Sequence, residues 1–331
     1  MYEITIISGD GIGKEVMEAG EYLLDHLDLE LSLDYGIAGY ECFQQTGSTL
    51  PEETVRKAKK SDAVLFGATT STPGQPSPII GLRKVLDVYA NLRPVKSFPG
   101  VKSLYDDVDM LIVRENSEGL YSQMEYEDED RLIAERIITK TASEKISEIA
   151  FRQCETLGKK KVSCIHKQEI LKKTDGIFKD TFYRVGEKYP EIVKNDLSIG
   201  QAAYCMVTRP QDFDVVLASN LFGDILSDEG AGLVGGLGIA PSGNIGDEHG
   251  LFEPVHGSGP DIAGKNIANP SSMILSIAMM MNYFKEYEYE QKITDAVSKV
   301  LKEGKNVTPD LGGTSTTMEM GKAIVNALEE L

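Results

Sequence analysis

Arginines recur where a chain could grip an acid: Arg83 in LRK, Arg93 in NLRP and Arg114 in VREN, with Tyr121 following in EGLY. A guanidinium holds a carboxylate through two parallel hydrogen bonds, so three converging on one point would hold a di- or tricarboxylate. Taken singly, each arginine is equally a solvated surface charge. Further on, NLFGDILSD carries Asp224 and Asp228 four residues apart. On a helix both face one way and repel, and a hard divalent cation such as Mg²⁺ or Mn²⁺ would relieve the repulsion. A solvated acidic face, or a helix cap at Asp224, explains the same spacing. Lys167, after VSCIH, suits a general acid or base if burial lowers its pKa, while His166 beside it reads as a packed imidazole. His26, His249 and His256 lack metal-ligand spacing, but His256 stands in a glycine-rich stretch.

Strand–helix alternation must position these groups. Glu3–Ser8, Ala63–Ala68, Asp109–Arg114, Val162–His166 and Asp214–Ser219 are short β-rich runs. Between them, 13–27, 52–60, 143–157 and 175–188 carry helical patterns, and LRKVLDVYANLRP reads as a short helical run bracketed by Arg83 and Arg93. Such alternation predicts an α/β sheet with helices on its faces, its chemistry at strand ends and the loops after them. The stretch 230–264 is crowded with Gly and Pro and has no helical period, which predicts a long functional loop. Gly9-Asp10-Gly11-Ile12-Gly13-Lys14 follows a strand and opens a helix. It fails the GxGxxG fingerprint because Lys14 replaces the last glycine, and it fails the P-loop in both spacing and the residue after Lys. A tight strand-to-helix turn is the favoured reading.

Composition bounds the partners. Asp and Glu outnumber Lys and Arg by 52 to 34, a net charge of −18, which argues against nucleic acid because a duplex demands a basic face. Four scattered cysteines, Cys42, Cys154, Cys164 and Cys205, show no CxxC pair, so a structural zinc site is not expected and a reducing compartment fits. The absence of a signal-peptide pattern and of a long apolar run predicts a cytoplasmic chain without a membrane span.

Six segments together resemble the β-decarboxylating dehydrogenases, the family of isocitrate, 3-isopropylmalate and homoisocitrate dehydrogenases. They are GDGIGKEV (9–16), LRKVLDVYANLRP (82–94), RENSEGLY (114–121), the run 220–247, FEPVHGSGPDIAGKNIANP (252–270) and TPDLGG (308–313). The resemblance implies a two-domain α/β fold that is not a GxGxxG Rossmann fold. Residues 1–95 and 236–331 would form the cofactor-side domain, and 96–235 the substrate and dimerisation domain. It also implies a homodimer or tetramer with its active site in the interdomain cleft. A 2-hydroxy acid would lose hydride to NAD, then carbon dioxide, leaving an enolate to be reprotonated. On this reading Ser71, Arg83, Arg93, Arg114 and Tyr121 bind substrate, and Asp224 and Asp228 ligate Mg²⁺ or Mn²⁺. Tyr121 protonates the enol, and Lys167, lent by a neighbouring subunit, serves the hydroxyl proton. The cofactor loop carries Glu253, His256, Gly257, Ser258, Gly259, Asp261, Ile262 and Asn269. Asp261-Ile262 would select NAD, because a carboxylate accepts from ribose hydroxyls and repels a 2′-phosphate.

Two positions depart from the family pattern. Its HKANVL motif reads HKQEIL here, placing Glu169 where an asparagine contacts substrate and nicotinamide ribose. Ten residues before Pro210, where the family carries a metal-binding Asp lent across subunits, this chain has Gly200. Three expectations follow: an intact paralogue lends the missing groups in a hetero-oligomer, the chain is a non-catalytic or regulatory subunit, or Glu169 or water completes the metal shell. The substrate also divides two arguments. Ile79 and Ile80, before Arg83, form an apolar wall suited to 3-isopropylmalate. SPII next to LRK, and KVSCIHK, resemble the archaeal homoisocitrate branch. Isocitrate ranks third, since no Ser-x-Asn pair precedes Arg83.

Overall fold

Runs of β-branched and aliphatic residues bounded by turn residues make the strands, and amphipathic segments between them make the helices. The computed structural model describes all 331 residues. In chain order the elements are β1 (Tyr2–Gly9), α1 (Ile12–Leu24), β2 (Leu31–Tyr35), α2 (Tyr40–Thr46), α3 (Glu52–Lys60), β3 (Ala63–Ala68), α4 (Pro78–Val85), β4 (Ala90–Lys96) and β5 (Asp109–Glu115). There follow β6 (Glu125–Asp128), β7 (Arg131–Ala134), α5 (Lys140–Thr156), β8 (Lys161–His166), α6 (Thr174–Gly186), β9 (Val193–Ser198), α7 (Ile199–Thr208) and β10 (Val215–Ala218). The last are α8 (Asn220–Val234), β11 (Pro241–Ile245), β12 (Gly250–Pro254), α9 (Ser271–Tyr283), α10 (Tyr287–Glu303) and α11 (Thr317–Glu329). None of these helices is long and apolar enough to cross a membrane.

The chain divides into two compact units. The first comprises Met1–Asp87, Ser97–Asp106 and Val234–Leu331, and the second Val88–Lys96 and Asp107–Leu233. In the first unit the strands run β2-β1-β3-β12-β11, parallel except for the β11–β12 pair. Every residue of β3 (AVLFGA) is buried, as expected of a parallel strand covered on both faces. Helix α9 is buried nearly all round (SSMILSIAMMMNY), and α1, α10 and α11 pack with it over β1, β3 and β12 in one continuous core.

The second unit orders its strands β4-β5-β10-β8-β9, antiparallel only at β4–β5, and adds the separate β6–β7 hairpin. Helix α5 buries Ile146, Ile149, Ala150, Phe151 and Cys154, and Phe151 stacks on Phe182 of α6 at 5.2 Å between ring centroids. The sheets and flanking helices are the α/β architecture expected from the strand–helix alternation.

Two local expectations fail. LRKVLDVYANLRP is not one helical run: α4 ends at Val85, Asp87 takes a left-handed φ of 48°, and Arg93 lies in strand β4. The stretch 230–264 is not one long loop, since α8 runs on to Val234 and β11 and β12 pair within it. The proposed turn at Gly9–Lys14 does form. Gly9 and Gly11 have φ of 75° and 56°, and a Cβ on Gly11 would sit 2.2 Å from the Ser258 carbonyl oxygen.

Candidate active site

Strand register delivers two of the three arginines to one place. In the β4–β5 pair Asn91 stands opposite Arg114 and Arg93 opposite Ile112, so Arg93 and Arg114 are diagonal neighbours on one face. Helix α8 then meets that face. A Cβ on Gly223 would come within 2.7 Å of the Arg114 side chain, so the glycine lets the arginine stem lie against the helix. Arg114, 1 % exposed, donates from Nε and Nη2 to Asn220 Oδ1 at 3.1 and 2.8 Å, and from Nη1 to Asp224. Arg93 donates to Ser227 Oγ at 2.5 Å and lies 3.3 Å from Asp224 and 3.5 Å from Asp228.

Tyr121 sits on a 3-10 turn (Leu120–Ser122), donates its hydroxyl to Asp224, and lies under the Arg114 guanidinium, 4.9 Å from ring centroid to Cζ. Burial and the hydrogen bond to Asp224 push the phenol above its ordinary value, so Tyr121 keeps its proton at neutral pH. Burial, followed by the charge of Asp224, raises the Asp228 carboxyl although Arg93 opposes it. Arg93, Arg114, Tyr121, Asp224 and Asp228 thus form one cluster in the second unit.

Asn220 and Ser227 belong to that cluster and carried no signal as single residues. They stand four before and three after Asp224 on α8, so helical spacing from Asp224 would have found them. Asn220 is fixed in turn by donating to the Glu118 carbonyl at 3.1 Å. Glu118 accepts from the Thr139 amide at 2.9 Å, and burial raises its pKa to about 7.

Asp224 and Asp228 suit a hard divalent cation in kind, being carboxylates one helical turn apart. No third His, Cys, Asp or Glu groups with them, so further oxygen ligands would have to come from substrate, water or another chain. Lys167, 36 % exposed, pairs with Glu169 at 2.8 Å. Its backbone amide donates to Asp175 Oδ2 at 2.6 Å. Next to it His166 accepts at Nδ1 from the Gln168 amide (3.1 Å), which leaves Nε2 as the donor to Asp196 (2.8 Å). Burial works against the Asp196 charge, but Lys179, Tyr183 and His166 together hold its carboxyl down to about 2. Gly200 lies on α7, where an added Cβ meets nothing within 4 Å.

The remaining sequence-selected residues lie in the first unit. Arg83 pairs with Glu253 at 2.7 Å, and Glu253 also accepts from Asn244 at 2.8 Å. Arg83 Nε is buried with no partner. Ile79 and Ile80 lie one turn before Arg83 on α4, half-buried. Ser71 is exposed on the segment between β3 and α4.

Ser258 accepts from Thr70 Oγ1 at 2.8 Å, and its carbonyl accepts from the Ile12 amide at 2.9 Å. Gly259 turns with φ of 50° against Ile12, and Gly257 is open to solvent. Asn269 donates to Asp310 at 3.0 Å and accepts from the Ser271 amide, so its side chain is engaged within the protein. Asp261 is exposed and Ile262 half-buried. His256 Nδ1 faces the Gly257 carbonyl at 2.9 Å, while Nε2 is buried and unpartnered. Burial depresses the His256 pKa, so the ring is neutral and Nε2 is a bare acceptor. An orphaned acceptor beside glycines and a free carboxylate fits a ligand rich in N–H and O–H donors, which a dinucleotide is.

The family model for isocitrate/isopropylmalate dehydrogenase matches residues 3–324. A 3-isopropylmalate/3-methylmalate dehydrogenase of Methanocaldococcus jannaschii is 52% identical over 335 residues, covering 100% of both chains. A homoisocitrate dehydrogenase of the same organism is 46% identical over 346 residues, covering 100% of this chain and 99% of the other. Among solved structures, isocitrate dehydrogenase from Methylococcus capsulatus superposes with a TM-score of 0.96 at 38% identity over 99% of each chain. This chain therefore belongs to the isocitrate/isopropylmalate dehydrogenase family.

Proposed function

We propose that this enzyme oxidatively decarboxylates a 3-alkylmalate, with 3-isopropylmalate as its substrate, NAD as hydride acceptor and Mg²⁺ or Mn²⁺ as cofactor. The observation that carries the choice of acid is on α4: Ile79 and Ile80 stand four and three residues before Arg83, on the same face of the helix. A substrate whose carboxylate meets Arg83 therefore presents its neighbouring substituent to two apolar side chains. An isopropyl group gains from that burial, whereas the extra carboxylate of homoisocitrate would be desolvated without a partner. Homoisocitrate remains the second reading, favoured by the 46% identical homoisocitrate dehydrogenase.

Asp224 occupies the guanidinium of Arg114 and lies beside Arg93. A substrate carboxylate would compete with Asp224 for both guanidiniums, and Asp224 and Asp228 are the residues that would hold the cation. Held there, a divalent cation would supply Lewis-acid polarisation of the substrate hydroxyl. Tyr121, protonated and held against Arg114, donates the proton that ends the reaction on the enol carbon. Lys167 serves the hydroxyl proton within a homodimer or larger homo-oligomer, where each subunit lends it to a neighbour. His256 Nε2 and the Asp261 carboxylate are the acceptors that would hold NAD, and Asp261 would disfavour NADP by repulsion.

The purified chain, assayed for NAD reduction with 3-isopropylmalate, homoisocitrate and isocitrate, should turn over the first with the highest kcat/KM, by roughly tenfold or more. Removing divalent cation should abolish the reaction. Preference for homoisocitrate would overturn the substrate assignment, and turnover in chelator would overturn the role of Asp224 and Asp228.

A further inference from the structure

The second unit also holds a cavity that the proposed reaction does not use. Helices α5 and α6 pack side by side and parallel, because Glu144 meets Arg184 at 3.2 Å and, one turn on, Glu148 meets Lys188. Parallel packing brings the start of α5 alongside α6, and a cavity of about 460 Å³ lies between them. On α6 its lining follows one stripe, from Lys173 just before the helix, through Gly176 and Asp180, to Arg184. Lys140, the first residue of α5, closes one side, and Lys172 and Gln168 of the preceding turn close the end.

The charge of this lining runs against the rest of the molecule. Four cations and a single carboxylate, Asp180, face the cavity in a chain whose net charge is −18. Arg184 is engaged by Glu144, but Lys140, Lys172 and Lys173 pair with no acid. Lysines that line one cavity without acid partners leave a net positive charge there, which an anion would offset. The cations are also spread out. The lined stripe from Lys173 to Arg184 covers 11 residues of helical rise, roughly 16 Å, so the groove is longer than one carboxylate or one phosphate. An extended anion with several charges along its length fits. Ammonium groups act as point charges and suit phosphate oxygens, whereas planar carboxylates favour the fork of arginine. The buried Thr181 and the Gln168 amide supply neutral polar groups between the charges.

We propose that this groove binds a phosphate chain, either inorganic polyphosphate or the triphosphate of a nucleotide. A bound chain bridges Lys140 on α5 to Lys172 and Lys173 before α6. It thereby ties down the turn that begins at Gln168.

The test uses the full-length protein and two probes, inorganic tripolyphosphate and a nucleoside triphosphate, each titrated calorimetrically and by thermal unfolding. Binding should raise the melting temperature by about 2 °C or more near saturation and should weaken steeply with added salt. The double variant Lys172→Glu/Lys173→Glu should lose roughly tenfold or more in affinity for both probes. Lys140→Glu, on the other helix, should do so independently, and all three side chains are exposed enough for the fold to survive. Tripolyphosphate binding as tightly as the nucleotide identifies the chain alone as the ligand; tighter nucleotide binding, lost in the same variants, identifies the nucleotide. No stabilisation of the wild type by either probe would overturn the proposal, as would binding that persists unchanged in both variants.

Discussion

At the scale of single residues, the site is a set of charges that satisfy one another. Asp224 is shared by Arg93, Arg114 and Tyr121, and Lys167 is shared with Glu169. The second pair has a consequence. Glu169→Asn frees the Lys167 ammonium, and Gly200→Asp adds a carboxylate where the helix has open space and no left-handed strain. The double variant should fold with unchanged stability and show a metal activation constant lowered by roughly tenfold. An unchanged constant in steady-state assays would mean that the metal shell is completed without position 200.

A different acid governs stability against pH. Burial raises the Glu118 pKa to about 7 from 4.5. Between those values the folded state keeps a proton that the unfolded state has released, so stability falls as pH rises through this window. Glu118→Gln keeps an acceptor for the Thr139 amide and removes the titration. Relative to wild type, it should gain about 1–2 kcal/mol on going from pH 5 to pH 8, discounting for partial solvent screening. Urea unfolding at the two pH values reads this directly, and parallel curves for both proteins would refute it.

At the scale of elements, legibility followed how much of the geometry is local. The strands β1, β3, β5, β8 and β10 were visible because aliphatic runs between turn residues have few other uses. The strand holding Arg93 was hidden, because nothing in LRKVLDVYANLRP marks a break. The break is a left-handed Asp87, which only the tertiary structure imposes. Likewise β11 begins on Pro241 and β12 ends on Pro254, and each carries a glycine, which reads as loop. Pairing with each other, and of β12 with β3, overrides that preference. In the candidate site the charged residues were legible by type, whereas Asn220 and Ser227 became visible only through their positions on α8.

The glycine turn after β1 shows how an element-level device reaches the site. Asp10, 3 % exposed, accepts from the amides of Tyr40 (2.8 Å), Glu41 (3.0 Å) and Thr70 (2.8 Å), so it seats the start of α2 and the segment after β3 together. Thr70 in turn donates to Ser258 in the proposed cofactor loop. Asp10→Ala leaves three amides without their charged acceptor and should cost roughly 3 kcal/mol or more. Asp10→Asn should cost less, since it retains one acceptor oxygen. Chemical denaturation ranks the two, and an elevated KM for NAD in Asp10→Asn would show the effect reaching Ser258. Equal stability of Asp10→Ala and wild type would remove Asp10 from this role.

At the scale of the whole molecule, the surplus of acids and the exposed apolar residues pull in opposite directions. Tyr204 and Val207 on α7 and Ile225 on α8 are exposed by 68%, 47% and 55%, and Leu132 on the β6–β7 hairpin by 82%. The homo-oligomer proposed above would cover side chains of this kind. Two copies carry −18 each, −36 together, so their association must outweigh like-charge repulsion that salt screens. The homo-oligomer proposed above should therefore tighten as salt is added, the opposite of an interface held by ion pairs. Sedimentation at low and at physiological ionic strength measures this. Tyr204→Asp and Ile225→Asp should each shift the wild-type oligomer toward monomer, with loss of turnover if Lys167 is lent across the interface. A wild-type monomer with full activity would show that Lys167 works within its own chain or not at all.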